Sequence, residues 1–165
     1  MDDRRVPVFR KLTQEEIEAI LARNHVGRIA YSLRERVVDI EPIHYVYADG
    51  WIYGRTEPGT KLSAVGQNWW VAFEVDEIDG LFDWRSVVVH GGFYPLSPVG
   101  SEATMQVWEQ ALGHIRTLFP EALTPEDPVP FRWVLFRIAV QEATGRAAST
   151  VPADESGRKA ETGSG

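Results

Sequence analysis

Val37-Val38-Asp39-Ile40-Glu41-Pro42-Ile43-His44-Tyr45-Val46-Tyr47-Ala48-Asp49-Gly50-Trp51-Ile52-Tyr53-Gly54-Arg55-Thr56 is the stretch whose reading decides the fold. Val37 to Tyr47 and Trp51 to Thr56 are rich in β-branched and aromatic residues, which suit a pleated, half-buried surface. Ala48-Asp49-Gly50 between them is a tight-turn signal, so the two runs read as a hairpin. Strands joined this tightly are antiparallel, because a parallel pair needs a crossover of a dozen or more residues.

The same pattern continues on both sides. Arg28 to Leu33 reads as a strand, as does Trp69 to Val75, where Val71, Phe73 and Val75 alternate on one face. Asp76 to Asp83 is acidic and turn-like. Trp84 to Tyr94 is apolar on both faces through Val87, Val88 and Val89, as a central strand is. Trp133 to Val140 is a last strand. Helices are attached to this string. Thr13 and Glu16 form a capping box at the head of a helix from Leu12 to Asn24, with Leu12 and Ile17 placed as a hydrophobic staple. A short helical segment runs from about Pro58 to Gln67, and a longer helix spans Ser101 to Phe119, with apolar residues at three- and four-residue intervals. Strands that follow one another directly, without alternating βα units, exclude a doubly wound fold. The expected class is mostly β, an antiparallel β-barrel with attached helices.

A chain of 165 residues without internal repeats is expected to form one domain, placed at residues 1–146. From Ala147 to Gly165 the residues are small, polar and charged, and a disordered C-terminal tail is expected there. The formal net charge is -7 with a pI near 5.1, and no Lys/Arg run offsets it, which disfavours nucleic acid. No apolar window reaches the length of a membrane span. The N-terminus lacks a secretory h-region and the chain has no cysteine, so a cytoplasmic setting is expected.

Gly54-Arg55-Thr56-Glu57-Pro58-Gly59-Thr60-Lys61 carries the chemistry. It approximates a P-loop, but Thr60 and Lys61 stand in reverse order and the preceding strand belongs to a hairpin, so a triphosphate site fails on context. Its parts still suit a single phosphate: Pro58 at the start of a helix, hydroxyls from Thr56 and Thr60, and charge from Arg55 and Lys61. A hairpin exit with solvated charges is the alternative. Pro42 inside a strand implies an edge or a bulge, which leaves backbone groups free beside Ile43, His44 and Tyr45. Ser86 opens the strand of valines. His25, His44, His90 and His114 show no zinc spacing, and no G-x-S-x-G elbow exists. No catalytic acid or base stands out.

Together, the order of elements, the Gly54–Lys61 segment, Asn68 and Trp84-Arg85-Ser86-Val87-Val88-Val89-His90-Gly91 resemble the FMN-binding split-barrel proteins of the pyridoxamine 5′-phosphate oxidase superfamily. Asn24-His25-Val26-Gly27-Arg28-Ile29-Ala30, Pro42-Ile43-His44-Tyr45, Phe136-Arg137-Ile138 and Thr144-Gly145-Arg146 look most like its nitroimidazole-resistance branch. The resemblance implies that Arg55, Thr56, Thr60 and Lys61 hold the FMN phosphate. It implies that Pro42, Ile43, His44 and Tyr45 run along the isoalloxazine edge, and that Ser86 and Val87 meet its polar side. It also implies a homodimer with both chains lining each flavin, and an aromatic wall from Trp69, Trp70, Trp84 or Trp108.

The Arg-x-His segment with which the true oxidases grip their substrate is missing after Trp133, so oxidation of pyridoxamine phosphate is not expected. The implied function is a flavin-dependent oxidoreductase acting on a small-molecule substrate or reductant. A non-catalytic flavin store or sensor is the alternative from another class. Deazaflavin or haem are the alternative cofactors, with His44 and His90 as the candidate haem ligands.

Overall fold

The structure, a computed structural model, describes residues 3–59, 62–63 and 69–155. Its strands are β1 (Arg5–Lys11), β2 (Val26–Arg34), β3 (Val37–His44), β4 (Val46–Ala48), β5 (Trp51–Thr56), β6 (Trp70–Gly80), β7 (Asp83–Pro95), β8 (Val134–Ala139) and β9 (Glu142–Pro152). The helices α1 (Gln14–Arg23) and α2 (Glu102–Arg116) lie before β2 and after β7. Strand order is β3-β2-β6-β7-β8-β5-β4, with β9 set between β7 and β1. Every pairing is antiparallel. The mostly-β class is therefore as the sequence indicates.

The barrel closes because β7 serves two sheets. Its first part, Trp84 to His90, lies between β6 and β9, and its end, Phe93 to Pro95, pairs with β8. The corner falls at Gly91, where a Cβ would lie 1.7 Å from the Ala139 carbonyl oxygen. Only glycine lets β7 approach the β8–β9 connection this closely.

Two cores result from the alternation of side chains along β5 and β8. Ile52, Phe136 and Ile138 point into the barrel with Ile29, Phe73, Val75, Val87, Val89 and Phe93. Tyr53 and Leu135 point the other way, against Ala111 and Ile115 of α2. Helix α1 plugs one end of the barrel with Ile17, Ile20 and Leu21. Its capping box is present as read: the Glu16 N–H donates to Thr13 Oγ1 (3.2 Å) and the Thr13 N–H to Glu16 Oε1 (3.1 Å). Asp49 and Gly50 both take positive φ (49° and 79°), the signature of the primed hairpin turn that joins β4 to β5.

Three expectations are corrected, and one strand has no counterpart in the sequence reading. The run from Val37 to Tyr47 is two strands in different pairings: β3 pairs with β2, and β4 alone forms the hairpin with β5. They part at Tyr45, whose side chain is fully buried in the barrel and whose hydroxyl donates to the Leu21 carbonyl (2.7 Å). Asp76 to Gly80 continues β6 rather than turning, because its acids meet Arg23, Arg28 and Arg85 across the surface. Arg5–Lys11 is a strand that its charges and Pro7 conceal.

The third correction concerns the expected tail. Residues 147–152 belong to β9, paired with β1 and, through Ala147 and Ala148, with β7. Both alanines are buried. Small side chains cannot fill a core, but they let a strand insert between two others and satisfy its backbone on both edges. Residues 156–165 lie outside the described residues.

Candidate functional site

Strand β3 is an edge of the sheet and carries Pro42, where a missing N–H costs no ladder hydrogen bond. Its outer side faces a cleft of about 540 Å³ whose other wall is the exit of β5: Thr56, Glu57, Pro58 and Gly59. Tyr31, Glu41, Pro42, Ile43 and Arg132 complete the lining. The Ser63 N–H donates to the carbonyl of Gly59 at the cleft's rim (3.1 Å).

The two sequence segments singled out for a ligand thus converge. Pro42 and Ile43 line the cleft from one side and Thr56 from the other. Thr60 and Lys61 lie outside the described residues, directly after that wall. The remaining candidates go elsewhere, chiefly because neighbours on a strand point to opposite faces. Arg55 turns away from Thr56 into the second core, where Asp127 takes it in a bidentate ion pair at 2.7 and 3.2 Å beneath Phe119. Arg55 is therefore not among the residues lining the cleft. His44 packs edge-on against Phe119 (5.3 Å between ring centres) and lines a smaller slot of about 100 Å³ with Arg55 and Arg132. Tyr45 is core rather than rim.

Ser86 and Val87 do not reach the cleft within one chain. The Ser86 hydroxyl donates to Glu74 (3.3 Å), and Val87 is fully buried in the barrel. His44 and His90 stand on β3 and β7 with β2 and β6 between them.

Arg132 is the residue that sequence reasoning missed. It sits in the loop before β8, where its N–H bonds the Val129 carbonyl (3.0 Å), and it lines both the cleft and the slot. The signal was a lone arginine in a proline-rich loop, which has no periodicity to read. Tyr31 is nearly buried at the cleft, and burial, with Glu41 and Asp39 nearby, pushes its phenol above the usual range. It is therefore an O–H donor at neutral pH. The cleft joins the Arg132 guanidinium, the Tyr31 phenol and the Thr56 hydroxyl, which donates to the Glu57 carbonyl (3.3 Å), with two carboxylates, Glu41 and Glu57. Donors and acceptors together suit a polar, cofactor-sized ligand.

Fold and site together define a small antiparallel barrel with its ligand cleft between an edge strand and a hairpin exit. The chain belongs to the pyridoxamine 5′-phosphate oxidase family, whose profile matches residues 13–147. Among solved structures it is similar to a FAD-binding protein of Mesorhizobium loti, at 26% identity over 86% of this chain and 99% of that one, with a TM-score of 0.69. A Bacteroides thetaiotaomicron protein assigned to 5-nitroimidazole antibiotic resistance shares the fold at 14% identity, 88% and 90% coverage and a TM-score of 0.65. So does a FAD and haem binding protein of Mycobacterium smegmatis, at 16% identity, 92% and 79% coverage and a TM-score of 0.60. The split-barrel fold is thereby established.

Proposed function

We propose that the cleft between β3 and the β5 exit binds FMN and that the protein is a flavin-dependent oxidoreductase. The observation that carries this reading is the meeting of Pro42 and Ile43 with Thr56–Gly59 across one cleft large enough for a cofactor. Thr56, Arg132 and the following Thr60 and Lys61 would take the phosphate. The outer edge of β3, opposite its pairing with β2, would take the polar edge of the ring, whose carbonyl and imide groups match backbone N–H and C=O groups. The bound flavin supplies the electron or hydride transfer, and the protein supplies position and electrostatics. The Tyr31 O–H adds a neutral donor on the same wall. A likeness of 26% identity to a protein named for FAD binding supports a flavin.

The working form in this reading is a homodimer. Val26, Val38 and Ile40 are all more than half exposed and share the outer face of the β2–β3 ladder, opposite the buried Ile29 and Ile43. Trp69 and Trp70 are exposed as well. Apolar surface of this extent fits a twofold contact that repeats each residue.

The test is the absorption spectrum of purified protein, followed by titration of FMN, FAD and deazaflavin into the stripped protein. Flavin bands near about 370 and 450 nm, with FMN tightest, are the expected result. A haem band near about 400 nm instead would overturn the assignment. Turnover of a reduced nicotinamide donor separates an enzyme from a flavin store.

A further inference from the structure

Strand β8 directs Arg137 toward the α2 side of the barrel, between its ladder partners Tyr53 on β5 and Tyr94 on β7. There the guanidinium carbon lies 3.6 Å above the centre of the Trp51 ring, which in turn meets Tyr94 edge-on at 6.0 Å. Arg10, Arg23, Arg28, Arg55 and Arg85 each pair with a carboxylate. Arg137 pairs with none among the described residues, and its Nε is buried without a hydrogen-bond partner. Beside it opens a cleft of about 450 Å³ walled by Trp51, Tyr94, Pro95 and Val107, with Thr104 on the helix side and Arg137 as the one cation in the lining. This cleft shares no lining residue with the one between β3 and β5.

We propose that it is a second ligand site and that it takes an aromatic carboxylate, the acid group on Arg137 and the ring along the wall of Tyr94, Pro95 and Val107. A planar guanidinium matches a carboxylate through two parallel N–H···O bonds. Held against an indole and partly out of water, it attracts an anion more strongly than a solvated arginine does. Aromatic walls favour a planar body, by offset or edge contacts. A single cation balances a single negative charge, which selects a carboxylate over a phosphate dianion in so apolar a cleft.

The experiment is isothermal titration of the purified full-length protein with 2-naphthoate and with its neutral isostere 2-naphthamide. The site is independent of the flavin reading, so the titration holds whatever the flavin content. The acid is expected to saturate one site per chain, with the amide weaker by about tenfold or more. Arg137→Gln should weaken the acid by about tenfold or more while leaving flavin absorbance unchanged. Arg137→Lys, which keeps the charge and loses the fork, should fall between. Thr104→Trp fills the cleft from the exposed helix wall and should abolish binding without touching the guanidinium, which decides the matter if Arg137→Gln does not fold. Absence of saturation up to about 10 mM acid overturns the proposal. So does an affinity that neither Arg137→Gln nor Thr104→Trp alters, since the acid would then sit elsewhere, as in the flavin cleft.

Discussion

Arg55 and Asp127, 72 residues apart in the chain, close a buried bidentate ion pair that ties the hairpin strand β5 to the proline-rich loop after α2. Asp127 also accepts the N–H groups of Leu123 (2.8 Å) and Val129 (3.0 Å), so one carboxylate organises the whole loop. That loop carries Arg132 to the cleft. Arg55, read from sequence as a phosphate contact, thus shapes the site's far wall.

Removing one partner strands the other charge without water. Asp127→Ala is expected to cost about 3–5 kcal/mol, read as a lowered midpoint in urea. The double variant Arg55→Met/Asp127→Leu should recover much of that loss, because apolar replacements leave nothing unpaired. A single variant as stable as wild type would show that the pair is not what holds the loop.

Stability should fall on the acid side. The Arg55 guanidinium, with the Leu123 and Val129 amides, holds the Asp127 carboxyl well below its ordinary range. Arg23, helped by Asn24 and Arg85, lowers that of Glu77 to about 2. Both acids release their protons more readily folded than unfolded, so their stabilisation is complete above the unfolded pKa values of about 4. It is lost as pH falls from about 5 toward 2. Denaturant midpoints across that window should drop steeply in wild type and less steeply in Glu77→Gln.

Truncation after Arg146 should destabilise or unfold the protein, since it removes the part of β9 that pairs with β1 and buries Ala147 and Ala148. A truncated chain with an unchanged melting temperature would contradict the pairing.

At the corner of β7, Gly91→Ala places a methyl against the Ala139 carbonyl, a backbone atom with little room to move. A loss of about 2–3 kcal/mol is expected. Gly113, where an added Cβ meets nothing within 4 Å, is the control: Gly113→Ala in the last turn of α2 should be neutral or stabilising.

For the cofactor, Lys61→Ala should weaken FMN by about 1.5–3 kcal/mol and Thr56→Ala by about 1 kcal/mol, the difference between a charged and a neutral hydrogen bond. Equal affinities in wild type and Lys61→Ala, by fluorescence titration, would remove the phosphate from this segment.

The local signals stood up where they rest on local physics. The Thr13–Glu16 box, the Asp49-Gly50 turn and the alternation of Val71, Phe73 and Val75 each depend on residues a few positions apart, and the structure keeps all three. Alternation was also available between Arg55 and Thr56. Adjacent strand residues point to opposite faces, which is why Thr56 lines the cleft while Arg55 enters the second core.

What only the tertiary structure decided is which partner each exposed or charged group meets. Composition made Ala147 to Pro152 look like a tail, because it counts side chains to bury and not the backbone edges of β1 and β7 that wait for a strand. It showed Arg55, Arg132 and Arg137 as three equal cations. Folding paired the first with Asp127, set the second in the cleft, and left the third on Trp51 without a carboxylate among the described residues. The sequence determined the antiparallel barrel and the β3 and β5 segments of the candidate site, since these follow from propensity, turns and period. The fates of the arginines did not follow, because a charge is defined by neighbours that lie far away in the chain and close only in space.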